Sequence, residues 1–121
     1  MNYDERLLDG SALVAVAGRI DLSNADAFKD ALSATLAKVR TALILDLAGV
    51  EYISSAGLRS LMIVFRASKA EGKAFGIAAL QPLLLEIFTI SRFNLVFPLF
   101  ETVGQAIEKL APDAINSLPV S

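Results

Sequence analysis

Apolar residues recur along this chain with a period of two in some stretches and of three to four in others, and each change of period marks a new element. Tyr3 to Leu8 alternates weakly and runs into Asp9-Gly10-Ser11, where Gly accepts the positive φ of a tight turn. A β-hairpin is predicted there. Its second arm, Ala12 to Ala17, is continuously apolar, as expected of a strand covered on both faces. Ser23-Asn24-Ala25-Asp26 then supplies N-cap oxygens for a helix, in which Ala27, Phe28, Ala31, Leu32, Leu36 and Val39 recur at helical spacing. Lys38 and Arg40 suit the negative pole of its macrodipole.

Ala42 to Leu47 reads as a buried strand closed by Ala48-Gly49, with Val50 to Ser55 as a short connection. A second helix follows, with Leu58, Leu61, Met62 and Phe65 on one face, and fades near Glu71-Gly72. Ala74 to Ala79 is a further strand, and Pro82 opens a third helix through Leu84, Leu85, Ile87 and Phe88. Leu95 to Phe100 reads as a last strand, confined to the sheet edge because Pro98 has no N–H to donate. Thr102 or Glu101 starts a final helix over Ala106 to Leu110, and the tail 112–121, which carries two prolines, is expected to fray. Strands alternating with helices after an opening hairpin predict a single α/β domain over residues 1–111. Its sheet is mostly parallel, with about four helices.

Composition narrows the chemistry. The 121 residues hold 11 basic and 13 acidic side chains, a net charge of −2, so the surplus of cations that nucleic-acid phosphates or an anionic membrane surface demand is missing. With no Cys there is neither a disulfide framework nor a thiolate nucleophile or ligand, and with no His neither a Ser-His-Asp triad nor a histidine zinc site. Neither a catalytic residue nor a cofactor or metal ligand set is predicted, and the balance tilts from enzyme toward binding module. Leu83 to Phe100, the longest apolar-rich stretch, is interrupted by Glu86, Arg92, Asn94 and Pro98, so no membrane insertion is expected. The polar, acidic start Met1 to Arg6 is unlike a secretory signal, and a cytoplasmic location is expected.

In open α/β sheets the functional end is the carboxyl end of the strands, where the segments Arg19 to Ser23, Ala48 to Ser55 and Ala79 to Pro82 are predicted to converge. Ser54 and Ser55 stand at the mouth of the second helix, with Gly57 just inside it. A glycine in a first turn, where Ala would be better by about 1 kcal/mol, suggests close backbone approach. A phosphate on a serine there would meet free N–H groups and the positive end of the helix dipole. Taken alone, a serine at a helix start is more often only a cap, and Asp21 and Asp46 at strand ends are more often turn acids than catalytic ones. Ile63 and Val64 fall off the core face of the second helix: either that helix is covered on two sides, or it offers an apolar contact to a partner.

The stretch Asp46-Leu47-Ala48-Gly49-Val50-Glu51-Tyr52-Ile53-Ser54-Ser55-Ala56-Gly57-Leu58-Arg59 resembles the signature of the STAS domain, and within it the single-domain anti-sigma-factor antagonists of bacteria. Gly18-Arg19-Ile20-Asp21 with Asn24-Ala25, Phe88-Thr89-Ile90-Ser91 and Phe97-Pro98-Leu99-Phe100-Glu101-Thr102 are similar to flanking segments of that family. The resemblance implies partner switching. The unmodified protein binds an anti-sigma factor that is a serine kinase of the histidine-kinase-like ATPase fold; phosphorylation at the helix start releases it, and a PP2C-type phosphatase resets it. Aligned on Gly57-Leu58, the modified residue is Ser55, with Ser54 as second choice; the partner-binding surface is expected to comprise Asp21, Ser54, Ser55, Ala56, Gly57, Leu58, Arg59, Met62 and Ile63. Two departures stand out: Ser54 occupies the place of an Asp found in some members, and Arg92-Phe93 that of Gly-Leu in many. The alternative carried by the same resemblance is an unphosphorylated STAS subunit of a membrane-associated assembly such as a lipid-transport ABC complex.

Overall fold

The computed structural model describes residues 1–117. Among them, β1 (Asn2–Leu8), β2 (Ser11–Ile20), β3 (Ala42–Ile53), β4 (Ala74–Ala78) and β5 (Leu99–Phe100) form one sheet in chain order. β1 pairs antiparallel with β2, and every later neighbouring pair is parallel. The helices are α1 (Ala25–Lys38), α2 (Ser55–Ala70), α3 (Pro82–Ile90) and α4 (Val103–Leu110). Right-handed crossovers that always step toward the same edge fall on one face of a sheet. Accordingly α1, α2 and α3 bury Val14, Leu43, Leu45 and Ile77 with their own apolar stripes, whereas α4 closes a smaller cluster with Ile44 and Ala78 on the other face. The predicted single α/β domain with a hairpin, a mostly parallel sheet and four helices is the architecture observed.

Several local expectations are corrected. β2 is not covered equally on both sides: Ala12, Val14 and Val16 are buried under the helices, while Leu13, Ala15 and Ala17 are only half-buried, because α4 reaches no farther than the end of the sheet near Leu8 and Leu13. β3 does not stop at Gly49. Two register shifts against β2, after Ala15 and after Gly18, each insert one extra residue, so Leu47, Val50 and Ile53 all face the core although they lie three apart. Bulges break the alternation that would have betrayed a strand. Asp46 therefore lies within β3, not at a strand end, and its carboxylate accepts the Ala48 N–H at 3.0 Å. The predicted strand Leu95 to Phe100 shrinks to its last two residues. Phe93–Leu95 is a 3-10 turn, and Phe97 turns inward instead, its N–H bonded to the Phe93 carbonyl and its ring 5.1 Å from that of Phe65. Pro112–Ser117 forms a further 3-10 helix with Ala114 buried, and residues 118–121 of the tail expected to fray lie outside the described residues.

The edge strand β1 is tied down by side chains. Tyr3 and Glu5 both bond the hydroxyl of Thr35 on α1, and Lys38 Nζ lies 2.8 Å from Glu5. Those bonds, that from Lys38 first, hold the Glu5 carboxyl below its ordinary value. A carboxyl lowered in the folded state contributes stability that is present above its unfolded pKa and lost as pH falls through the folded one. Glu5→Gln is therefore expected to lower the melting temperature at neutral pH and to flatten its decline below about pH 4.5, as followed by circular dichroism.

Candidate functional site

β4 ends opposite Asp46, but β2 and β3 stay paired as far as Ile20 and Ile53. From Asp46 to Ile53 about 20 Å of extended chain thus overhangs the rest of the parallel sheet. The turn Ala79 to Pro82, expected to join the other two segments, is left behind, and Gln81 Nε2 donates to the Ala48 carbonyl at 2.8 Å. Only the ends of β2 and β3 meet at the start of α2.

The Ser54 N–H donates to the Ile20 carbonyl at 2.8 Å and stitches the two strand ends together. The next residue, Asp21, accepts both the N–H and the hydroxyl of Ser23, and the hydroxyl bond is the chief reason its carboxyl lies below the ordinary value. Asn24 stands at the N-cap of α1 yet makes no cap bond. Its side chain turns back, accepting from Asp21 N and donating to the Arg19 carbonyl, both at 2.9 Å, so the expected capping oxygens shape the β2 exit instead. Arg19 stacks its guanidinium 4.4 Å from the centroid of the Tyr52 ring, its direct cross-strand partner. This pair was not legible in the sequence, because only the parallel register unites residues that distant in the chain.

The two serines take different tasks. Ser54 is the N-cap of α2, its hydroxyl accepting the Gly57 N–H at 3.2 Å, while its carbonyl takes the Leu58 N–H. Ser55 is the first helical residue, exposed, and its hydroxyl has no hydrogen-bond partner among the described residues. With the amides of residues 57 and 58 used, those of Ser55 and Ala56 are the free donors of the helix end. Gly57 is pressed against the sheet: a Cβ there would lie 2.7 Å from Ile53 Cγ1 and 2.8 Å from Ile20 Cγ2. Ser60 anchors the next turn by donating to the Ala25 carbonyl at 2.9 Å.

Of the remaining residues expected at a partner surface, Leu58 packs into the core with Gly57, Arg59 and Ile63 are exposed, and Asp21, Ala56 and Met62 are half-buried. Val64 is fully buried, so α2 is indeed covered on a broad face, yet Ile63 still points out. Beside Ser55 an open groove of about 490 Å³ runs between α2 and the turn after α3, lined by Arg59, Met62 and Arg66 on one side and Ser91 and Phe93 on the other. Arg66, Ser91 and Phe93 were missed, since α3 is joined to α2 only through β4. A larger concavity of about 720 Å³ lies between Pro98 and α4 and shares no residue with this groove.

The STAS domain family model matches residues 4–106, nearly the whole chain. The chain belongs to the STAS domain family. Among STAS proteins it is 31% identical over 101 residues to the anti-sigma-F factor antagonist RsfB of Mycobacterium tuberculosis, covering 82% of this chain and 80% of that one. It is 32% identical over 91 residues to BtrV of Bordetella bronchiseptica, 75% of this chain and 78% of that one. The crystal structure of an anti-sigma factor antagonist from Mycobacterium paratuberculosis superposes with a TM-score of 0.82 at 29% identity, over 90% of this chain and 92% of the other. Among the described residues no helix of this STAS domain is long and apolar enough to cross a membrane.

Two substitutions separate cap from seat. Ser54→Ala removes one cap bond and is expected to cost about 1 kcal/mol in urea unfolding. Gly57→Ala, although better for a helix, forces a methyl into Ile20 and Ile53 and is expected to cost about 1–3 kcal/mol in the same measurement.

Proposed function

We propose that this STAS domain is an anti-sigma-factor antagonist, a binding module and not an enzyme, that works by partner switching in the cytoplasm. Unmodified, it engages an anti-sigma factor of the histidine-kinase-like ATPase fold through the start of α2 and the neighbouring Asp21 loop. That partner, a serine kinase, phosphorylates Ser55 and lets go; a PP2C-type phosphatase regenerates the binding form. The names of RsfB and of the mycobacterial structural relative support the antagonist role. The observation that carries the residue assignment is the division of labour between the serines: Ser54 spends its hydroxyl on the cap, whereas the Ser55 hydroxyl is exposed and unengaged.

The physics of such a switch follows from that position. A phosphate adds about −1.5 to −2 charges beside two free amides at the positive end of α2, so the fold tolerates it. A protein docked over the same turn would have to desolvate a dianion and face it across the interface. A near-complete switch requires about 5.5 kcal/mol of differential affinity. The test is incubation with each serine kinase of that fold from the same organism and ATP, followed by peptide mass spectrometry. One phosphoryl group on Ser55 is expected, and Ser55→Ala should hold the kinase in a complex that survives ATP. Phosphate found on Ser54 alone, or no phosphate with any of these kinases, overturns the proposal.

A further inference from the structure

The α2 helix is basic on a chain that is acidic overall. Between Ser55 and Ala70 it carries Arg59, Arg66 and Lys69 and not one carboxylate. Arg59 and Arg66 both line the groove beside Ser55, and the facing turn contributes Arg92, between the lining residues Ser91 and Phe93. None of these three arginines has an ion-pair partner among the described residues, although Lys29, Lys38, Arg40 and Lys73 all do. Arg92 is also held at φ +63°, a left-handed conformation that costs a side-chain-bearing residue free energy. Apolar groups line the same groove, Met62 and Phe93 among them, and nearby in the facing segment Ile90 and Leu95 are 73% and 77% exposed. Two unpaired cations lining an apolar trough, with a third on the residue between two of its lining positions, complement a segment that is acidic and apolar in turn.

We infer that this groove receives an acidic, apolar-bearing segment of the partner protein, gripped by Arg59, Arg66 and Arg92, and that a phosphate on Ser55 withdraws Arg59 from that grip. Ser55 and Arg59 are four residues apart on one helix face, the spacing at which side chains pair, and they line the same groove. The phosphoryl dianion draws the guanidinium into a charge-assisted intramolecular pair. It also lowers the summed charge of the three arginines and the modified serine from +3 to about +1. Release then has two sources, repulsion by the new charge and loss of a cation the partner was using. The second step rests on the proposal that Ser55 is the modified residue; the groove's preference for an acidic segment does not.

Two measurements separate these parts. In the first, nitrogen-15-labelled protein is titrated with a synthetic peptide of alternating Glu, Leu, Asp and Phe, with its Lys-substituted counterpart, and with vesicles of phosphatidylcholine and phosphatidylglycerol. Amide shifts confined to residues 55–66 and 90–96 are expected with the acidic peptide only, weakening with added salt. Arg59→Gln, Arg66→Gln and Arg92→Gly should each weaken the peptide about two- to five-fold. Arg92→Gly relieves the left-handed strain and should melt no lower than the parent, so its loss of binding cannot be ascribed to misfolding. Shifts elsewhere, equal binding of the Lys peptide, or binding of the vesicles in place of the peptide overturns the inference, the last in favour of a membrane surface. In the second, phosphoserine is incorporated genetically at position 55 and titrated by phosphorus-31 NMR. The second ionisation should lie lower by about half a pH unit than in the same protein carrying Arg59→Gln. Coincident titration curves overturn the withdrawal of Arg59. Failure of any kinase to modify Ser55 would sink the functional proposal while leaving the peptide result intact.

Discussion

The contact on which the site depends is the seating of Gly57 against Ile20 and Ile53. A helix can lie that close to a sheet only where it has no side chain, and here the first turn of α2 rests on the last residues of two paired strands. The Ser54 amide bonded to the Ile20 carbonyl fixes the entry angle, and the Ser54 hydroxyl on the Gly57 amide closes the cap. Every other property of the site follows from this seat. It turns Ser55 outward, aims two unused amides past it, and brings Arg59 and Arg66 along the helix face that borders the groove.

The long reach of β3 is what makes the seat possible. Two bulges let the strand continue while rotating Leu47, Val50 and Ile53 onto one face, so apolar burial is maintained across an irregular ladder. Within the sheet the overhang pairs only with β2 among the described residues, and side-chain devices stabilise it: the Asp46 carboxylate on the bulged Ala48 amide, Arg19 on Tyr52, and Asn24 bridging the Arg19 carbonyl and the Asp21 amide. Those groups lie beside the first turn of α2 because that turn sits at the end of the same overhang.

Electrostatically the domain is divided. Carboxylates populate β1 and the loop around Asp21, where the Ser23 hydroxyl holds the acid below its ordinary pKa, while the exposed side of α2 is cationic. A small protein with a net charge of −2 can therefore present a basic face, since the local field and not the total decides what a surface attracts. The phosphate proposed for Ser55 would change the charge balance of that face without touching the buried core, which lies below Gly57 and Leu58.

The amino-acid sequence by itself determined the class of the fold, its hairpin opening, the helices and the identity of the critical turn. Each of these rests on short-range information: apolar period, turn chemistry at Asp9-Gly10, a proline at the start of α3, a glycine in the first turn of α2. It misread the elements whose regularity is broken by packing. Val50 to Ile53 looked like a loop because bulges spoil alternation, Leu95 to Phe97 looked like a strand because an apolar run carries no sign of a 3-10 turn, and Asn24 looked like a cap although its bonding partners lie upstream. Tertiary structure alone decided which serine is free, that Arg19 stacks on Tyr52, and that Arg59 and Arg66 share one groove with Ser91 and Phe93. These are relations between residues brought together by strand register and by the crossover through β4, and no local pattern encodes a distance between segments that meet only when the sheet closes.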